Sequence, residues 1–364
     1  MKNVLLVAGA RPNFMKVAPV LRELLKHPDT FRPQLIHTGQ HYDADMSDVF
    51  FQELAIPKPD LFMGVGSGSH AEQTGRIMIA FEKVCLETKP DLVIVVGDVN
   101  STMACAITAK KLCIPVAHIE AGLRSRDWTM PEEVNRVVTD AISDLLFTPS
   151  RDGDQNLLRE GIPADRIHFV GNVMIDSLLE QLPKTETRNT LRQCGVEVGK
   201  FATLTLHRPA NVDDPQVFSG IVEVMAELSR ELDIIWPVHP RARKMLEDPR
   251  LAGLLKDAPG LKLTGPLGYV DMLTLNRNAK LVLTDSGGLQ EEATVLGVPC
   301  ITLRENTERP VTVESGANRV VGNRPMGIRA GVRSVLNGNE CSIRIPEFWD
   351  GKAAGRIVDV LMRR

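Results

Sequence analysis

Short runs rich in β-branched residues recur along this chain, separated by longer stretches of helical period, and that alternation limits the fold more than any other feature. It predicts βα units wound around parallel sheets. Residues 4–8, 34–38, 92–96, 116–119, 145–148 and 167–170 read as one series of strands. Residues 202–206, 234–238, 261–263, 281–284, 299–302 and 319–321 read as a second. Between the two lies a polar stretch, Lys184 to Thr187, with no apolar residue until Leu191, which reads as a linker. The length of 364 residues suits two domains of similar size. An α/β protein of two Rossmann-like parallel-sheet domains is therefore expected. A long helix is expected from about residue 71 to 88, with Ile77, Phe81, Val84 and Cys85 on one stripe.

Composition narrows the partners. The formal net charge is −3, no block of five or six like charges occurs, and Phe 11, Trp 3 and Tyr 2 leave few rings for base stacking. Neither nucleic acid nor a membrane surface is expected as a partner. After Lys2 and Asn3 only five consecutive apolar side chains precede Gly9, too short for a secretory core, and they read as a first strand. Six cysteines without CxxC spacing fit a reducing cytoplasm.

In open α/β sheets, ligands gather beyond the carboxyl ends of the strands. Gly9, Arg11, Asn13 and Lys16 follow the first strand. Thr38, Gly39, Gln40 and His41 follow the second, Gly97 and Asp98 end LVIVV, and Glu120 ends PVAHI. In the second half the corresponding residues are His207 and Arg208, then His239, then Asp285, Ser286, Gly287 and Gly288. Two such rims facing each other across a cleft are expected to enclose one ligand.

The residue types suggest what that ligand is. Ser286-Gly287-Gly288 stands between a strand and a helix, where N–H groups and the helix dipole favour a phosphate, although a Ser N-cap with close-packed glycines has the same pattern. Glu291 or Glu292, one turn in, is placed for a ribose diol, and Arg309 adds a cation. Neither GxGxxG nor GxxxxGK[ST] follows any strand, so a nicotinamide dinucleotide and a P-loop are disfavoured. Asp98 and Glu120 place charge at the mouths of buried strands, which is costly unless it binds something or is paired. Glu132 and Glu133 open a helix, where dipole complementation is the simplest reading. His118 and Glu120 share a strand face, but no third ligand follows at suitable spacing, so no metal is expected. His207 is placed for acid–base work.

Taken together and in order, GARPNFMKVAP, TGQH, EQTGRIM, Gly97-Asp98, HIEAGLRS, PEEVNR, LHRPAN, His239-Pro240, TDSGGLQEEA and TERP resemble the non-hydrolysing UDP-N-acetylglucosamine 2-epimerases, which look like B-type glycosyltransferases in fold. The resemblance implies an N-terminal domain of residues 1–176, to which a C-terminal helix of about 350–364 returns, and a nucleotide-binding domain of 177–349. It implies inversion at carbon 2 of a UDP-N-acetylsugar, by anti elimination of UDP and re-addition through a 2-acetamidoglucal, with no cofactor. Asp98 and Glu120 would transfer the proton at carbon 2, Glu132 would stabilise oxocarbenium-like charge, and His207 would assist the leaving group. Arg11, Lys16, Ser286, Gly287, Gly288 and Arg309 would hold the diphosphate and Glu292 the ribose, with His239 also lining the substrate. A cytoplasmic homodimer is expected.

One departure stands out. The family often reads HRREN where this chain has HRPAN, so Pro209 and Ala210 replace a basic and an acidic residue. Some members bind a second UDP-sugar through TGQH, the QT segment and that arginine. Here Gln40, His41 and Gln73 persist without it. The competing readings are a hydrolysing epimerase releasing free N-acetylmannosamine, a glycosyltransferase of the same fold, and a UDP-sugar sensor.

Overall fold

A computed structural model describes residues 1–39, 57–338 and 342–364. Gln40 and His41 lie outside the described residues. The chain forms two compact units, Met1–Glu180 with Glu347–Arg364, and Gln181–Pro346.

The first unit contains β1 (Lys2–Ala8), β2 (Phe31–His37), β3 (Leu61–Phe62), β4 (Leu92–Val96), β5 (Val116–Ile119), β6 (Leu145–Thr148) and β7 (Ile167–Phe169). They lie in the order β3-β2-β1-β4-β5-β6-β7, all parallel. β4 is buried at every position because helices cover both faces of the sheet. The helix His70–Thr88 buries Gln73 together with the expected Ile77, Phe81, Val84 and Cys85. Ser69 and Glu72 close a capping box at its start. The sequence reading omits β3, a two-residue strand too short to show alternation, held by pairing Ile36 with Leu61 and His37 with Phe62.

The C-terminal helix Ala353–Met362 belongs to this first unit and packs on the helix Arg11–Leu25. Its apolar stripe, Ala353, Ala354, Ile357, Val358 and Leu361, is buried. Asp176 accepts the N–H groups of Ala353 and Ala354 at 3.2 and 2.8 Å, where the helix dipole favours a carboxylate. Burial nevertheless pushes its carboxyl up to about 6.

The second unit contains β8 (Phe201–Thr205), β9 (Asp233–Pro237), β10 (Leu261–Thr264), β11 (Leu281–Thr284), β12 (Cys300–Thr302) and β13 (Asn318–Val320). They lie in the order β10-β9-β8-β11-β12-β13, also all parallel. One core gathers Phe218, Trp236 and Leu283, and another Phe201, Ile235 and Val282. The pairs Trp236 and Ile235, and Leu283 and Val282, are consecutive in their strands, so the pleat sends them to opposite faces. The polar stretch read as a linker lies just past the boundary between the two units, at Glu180 and Gln181, and forms a 3-10 helix, Leu182–Thr187. Thr185 is buried, donating to Leu182 O at 2.6 Å and accepting from Arg277 Nη1 at 2.9 Å. Short hydroxyl side chains favour such local turns, which a polar composition alone does not reveal.

Chain order reverses between β1 and β4 in one sheet and between β8 and β11 in the other. Loops leaving those strands diverge to opposite faces and open a crevice at the carboxyl ends. The expected functional residues stand at or beside these two points.

Candidate active site

In the first unit, Arg11 opens the helix Arg11–Leu25 and Pro12 sits in its first turn, where a missing N–H costs nothing. Asn13 Oδ1 accepts the N–H groups of Gly9 and Ala10 at 3.2 and 2.9 Å, and its Nδ2 donates to Val96 O at 3.2 Å. The exits of β1 and β4 are thus tied together. Lys16, one turn on, is buried against Glu120, its Nζ bonded to Oε2. Glu120 holds a left-handed backbone, φ 74°, which costs a non-glycine residue about 1–2 kcal/mol. Gly97 stands over the pair: a Cβ there would lie 3.2 Å from Glu120 Oε2 and 3.6 Å from Lys16 Nζ, and its φ of +70° also favours glycine.

Asp98 is partly exposed, with Arg136 Nη1 3.5 Å from Oδ2, and its carbonyl accepts from Asn135 Nδ2 at 2.8 Å. Glu133 is spent on structure, accepting from Ser125 N, Ser125 Oγ and Arg126 N at 2.9 Å each. Glu132, on the same helical turn, stays half-buried outside that network. Gln73 accepts from Asn100 Nδ2 at 2.8 Å and donates to Gly66 O at 3.2 Å, so its amide ties down the Gly64–Gly68 glycine-rich loop. His118 spends one ring nitrogen on Asp140 and the other on Gly97 O.

In the second unit, Asp285 follows β11 and is fully buried. It accepts from the N–H groups of His207 and Arg208 at 3.0 and 2.9 Å and from Asn211 Nδ2 at 3.1 Å, and faces His207 Nδ1 at 2.8 Å. Burial by itself would raise its carboxyl, but the His207 ring and the backbone donors outweigh it and hold it below the usual range. Fixing Nδ1 leaves Nε2 as the ring atom of His207 to meet a ligand. The His239 ring lies 6.1 Å away and is shifted down by burial and by His207.

Ser286 occupies the N-cap of the helix Gly287–Leu296 without a side-chain capping bond. Beside that terminus Arg309 meets Glu291 at 2.7 Å and Glu308 at 2.9 Å, Arg304 meets Glu308 at 2.8 Å, and Arg208 stands 3.6 Å from Glu308. Three guanidiniums gather around two carboxylates beside a helix N-terminus, an arrangement that suits an anion. Gly287 permits the approach, since a Cβ there would lie 2.5 Å from Arg309 Nη1. Glu292 is buried and accepts from Tyr269 OH at 3.1 Å, and burial with neighbouring Glu291 pushes it up to about 7.

That elevation makes a signed prediction. Between about pH 4.5 and 7 the folded chain keeps a proton on Glu292 that the unfolded chain releases, so stability falls as pH rises through this window. Above it the penalty is about 3 kcal/mol. Glu292→Gln should therefore raise the melting temperature at alkaline pH, with the gain disappearing in acid; an equal gain at both extremes would contradict the assignment.

The residues missing from the sequence reading as site members are Arg136, Asp140, Arg304 and Glu308; Asp285 is named there only as a strand-end residue, without a role. The rule that points to Asp98 and Glu120, a charge ending a buried strand, also points to Asp285. Arg136 and Asp140 are visible only through pairing with Asp98 and His118 from other segments, whereas Arg304 and Glu308 pair locally, four residues apart. Among the described residues no cluster of three His, Cys, Asp or Glu side chains is arranged to hold a metal. None of their helices is long and apolar enough to cross a membrane.

Two parallel-sheet units, one with carboxylates at its strand ends and one with a cation-rich helix N-terminus, suit an enzyme that acts on a phosphorylated ligand such as a nucleotide sugar. Residues 22–362 match the model of the UDP-N-acetylglucosamine 2-epimerase family, and the chain belongs to that family. It is 45% identical over 361 residues to the UDP-N-acetylglucosamine 2-epimerase of Methanocaldococcus jannaschii, covering 98% of each chain. The crystal structure of the M. jannaschii enzyme in complex with UDP-GlcNAc and UDP superposes with a TM-score of 0.90 at 44% identity, covering 100% of both chains. A UDP-2,3-diacetamido-2,3-dideoxy-D-glucuronate 2-epimerase of Pseudomonas aeruginosa is 41% identical, covering 99% of each. The protein is an isomerase of the carbohydrate-epimerase kind.

Proposed function

We propose that the protein interconverts UDP-N-acetylglucosamine and UDP-N-acetylmannosamine. A carboxylate takes the proton from carbon 2 while the bond between carbon 1 and the diphosphate oxygen breaks, and UDP leaves with the electron pair. The resulting 2-acetamidoglucal is then re-protonated on the opposite face as UDP adds back. The observation that carries this reading is the presence of Asp98 and Glu120 at the carboxyl ends of the adjacent strands β4 and β5. Carbon-bound protons need positioned bases, and one on each side of the carbon accounts for inversion.

Glu132 would stabilise positive charge on the ring. His207, its Nδ1 directed to Asp285, would present Nε2 to the leaving oxygen. Lys16, Arg11, Arg309 and the N–H groups behind Ser286, Gly287 and Gly288 would carry the diphosphate, His239 would line the substrate, and Glu292 would hold the ribose. In the unliganded chain Lys16 is engaged with Glu120.

We place the enzyme in the cytoplasm as a homodimer whose partner molecule is the UDP-sugar alone. A second reading of the sugar is favoured by the full-length match to the diacetamido-uronate epimerase: a modified UDP-N-acetylsugar. Incubation with UDP-GlcNAc followed by proton NMR should show the manno epimer still linked to UDP. Free N-acetylmannosamine would indicate the hydrolysing reaction. An unchanged sugar, also with uronic analogues, would mark a transferase or a sensor and end the proposal.

A further inference from the structure

His118 on β5 and Asp140 near the end of the helix Pro131–Ile142 are both buried, at 0% and 1% exposure. Nε2 of His118 is 2.8 Å from the carbonyl oxygen of Gly97, which only accepts, so that nitrogen carries a proton. At Nδ1, 2.6 Å from Asp140 Oδ1, a second proton is shared between ring and carboxylate. The other Asp140 oxygen accepts the N–H of Gly122 at 3.1 Å and Arg124 Nη1 at 2.7 Å. Arg124 is gripped in turn by both oxygens of Glu160, at 2.9 and 2.6 Å. Burial by itself would raise Asp140, yet His118 and Arg124 outweigh it and hold it low.

The backbone atoms caught at the two ends matter most. Gly97 directly precedes Asp98, and Gly122 lies two residues beyond Glu120. Both turns are thereby fastened to one buried pair, Gly97 through His118 and Gly122 through Asp140, whereas a strand end held only by sheet bonds has freedom at its last residues.

We propose that His118 and Asp140 form a positioning pair that holds the Gly97–Asp98 turn by its carbonyl and the Glu120–Gly122 turn by its N–H, keeping the two reactive carboxylates in register. This rests on the reading that Asp98 and Glu120 move the carbon 2 proton. Removal of the pair misplaces both groups while leaving the residues around Ser286 and Arg309 in the second unit intact, and a misplacement of about 1 Å costs on the order of 100-fold in rate.

The test has two arms on the full chain. In the unliganded protein labelled with 15N-histidine, one ring N–H proton should resonate far downfield and exchange slowly. It should persist in His207→Gln and vanish in Asp140→Asn. No such proton in the wild type overturns the proposal, whether or not any variant folds. In kinetics, Asp140→Asn and His118→Gln should lower turnover about 100-fold while leaving the KM for the UDP-sugar and the affinity for UDP within about threefold. A folded variant with wild-type turnover also overturns it. If the wild type itself fails to exchange the carbon 2 hydrogen, the functional reading fails, while the NMR arm still reports on the pair.

Discussion

Glu120→Gln should lower epimerase turnover by about 1,000-fold while leaving UDP affinity within about twofold. The amide keeps the shape of the carboxylate and still accepts from the Lys16 ammonium, so the strained turn at φ 74° should survive. What it loses is the capacity to take a proton. Asp98→Asn should have an effect of similar size, because inversion needs a proton removed on one face and supplied on the other. Steady-state rates and UDP titration calorimetry on the same preparations check both parts. A Glu120→Gln enzyme with more than about one-tenth of wild-type turnover would remove Glu120 from proton transfer.

The second large effect concerns the nucleotide. Arg309→Ala removes one of three guanidiniums from a cluster holding two buried carboxylates, so positive charge is lost beside the head of the helix Gly287–Leu296 and Glu291 loses its 2.7 Å partner. UDP should bind about 100-fold more weakly, the equivalent of about 3 kcal/mol, within the range for truncating one side of a buried charge pair. The melting temperature should also fall, since a buried carboxylate is left with less positive charge beside it. Arg309→Lys should recover only part of the affinity, because an ammonium cannot bridge Glu291 and Glu308 as a planar fork does. Calorimetry with UDP separates the three proteins; equal affinity in Arg309→Ala would place the diphosphate elsewhere.

Much of this fold was legible because its strands are buried on both faces and so appear as short apolar runs. LVIVV and VLT announce β4 and β11 without any tertiary information. The helix His70–Thr88 was equally visible through its 3.6-residue stripe. β3 was not, because a two-residue strand has no period and exists only through its partner β2. The stretch after Pro183 was legible as polar, but composition does not show the 3-10 turn there, in which Thr185 donates to Leu182 O and accepts from Arg277, 92 residues away.

The candidate site divides along the same line. Asp98, Glu120, His207 and Ser286 could be named from sequence because each ends a strand, where function gathers. Arg136 and Asp140 could not, since each works by touching a residue from another segment. The opening PEEVNR of the helix Pro131–Ile142 shows the limit well. Glu132 and Glu133 are equivalent as sequence, yet one is consumed by Ser125 and Arg126 while the other remains half-buried outside that network.

The most direct measurement follows the hydrogen on carbon 2. When the purified wild-type chain acts on UDP-N-acetylglucosamine in deuterated water, the account requires that deuterium replace protium at carbon 2 in both epimers, with the manno form accumulating alongside. Conversion with carbon 2 protium fully retained, or no labelling of any UDP-N-acetylsugar offered, would contradict it.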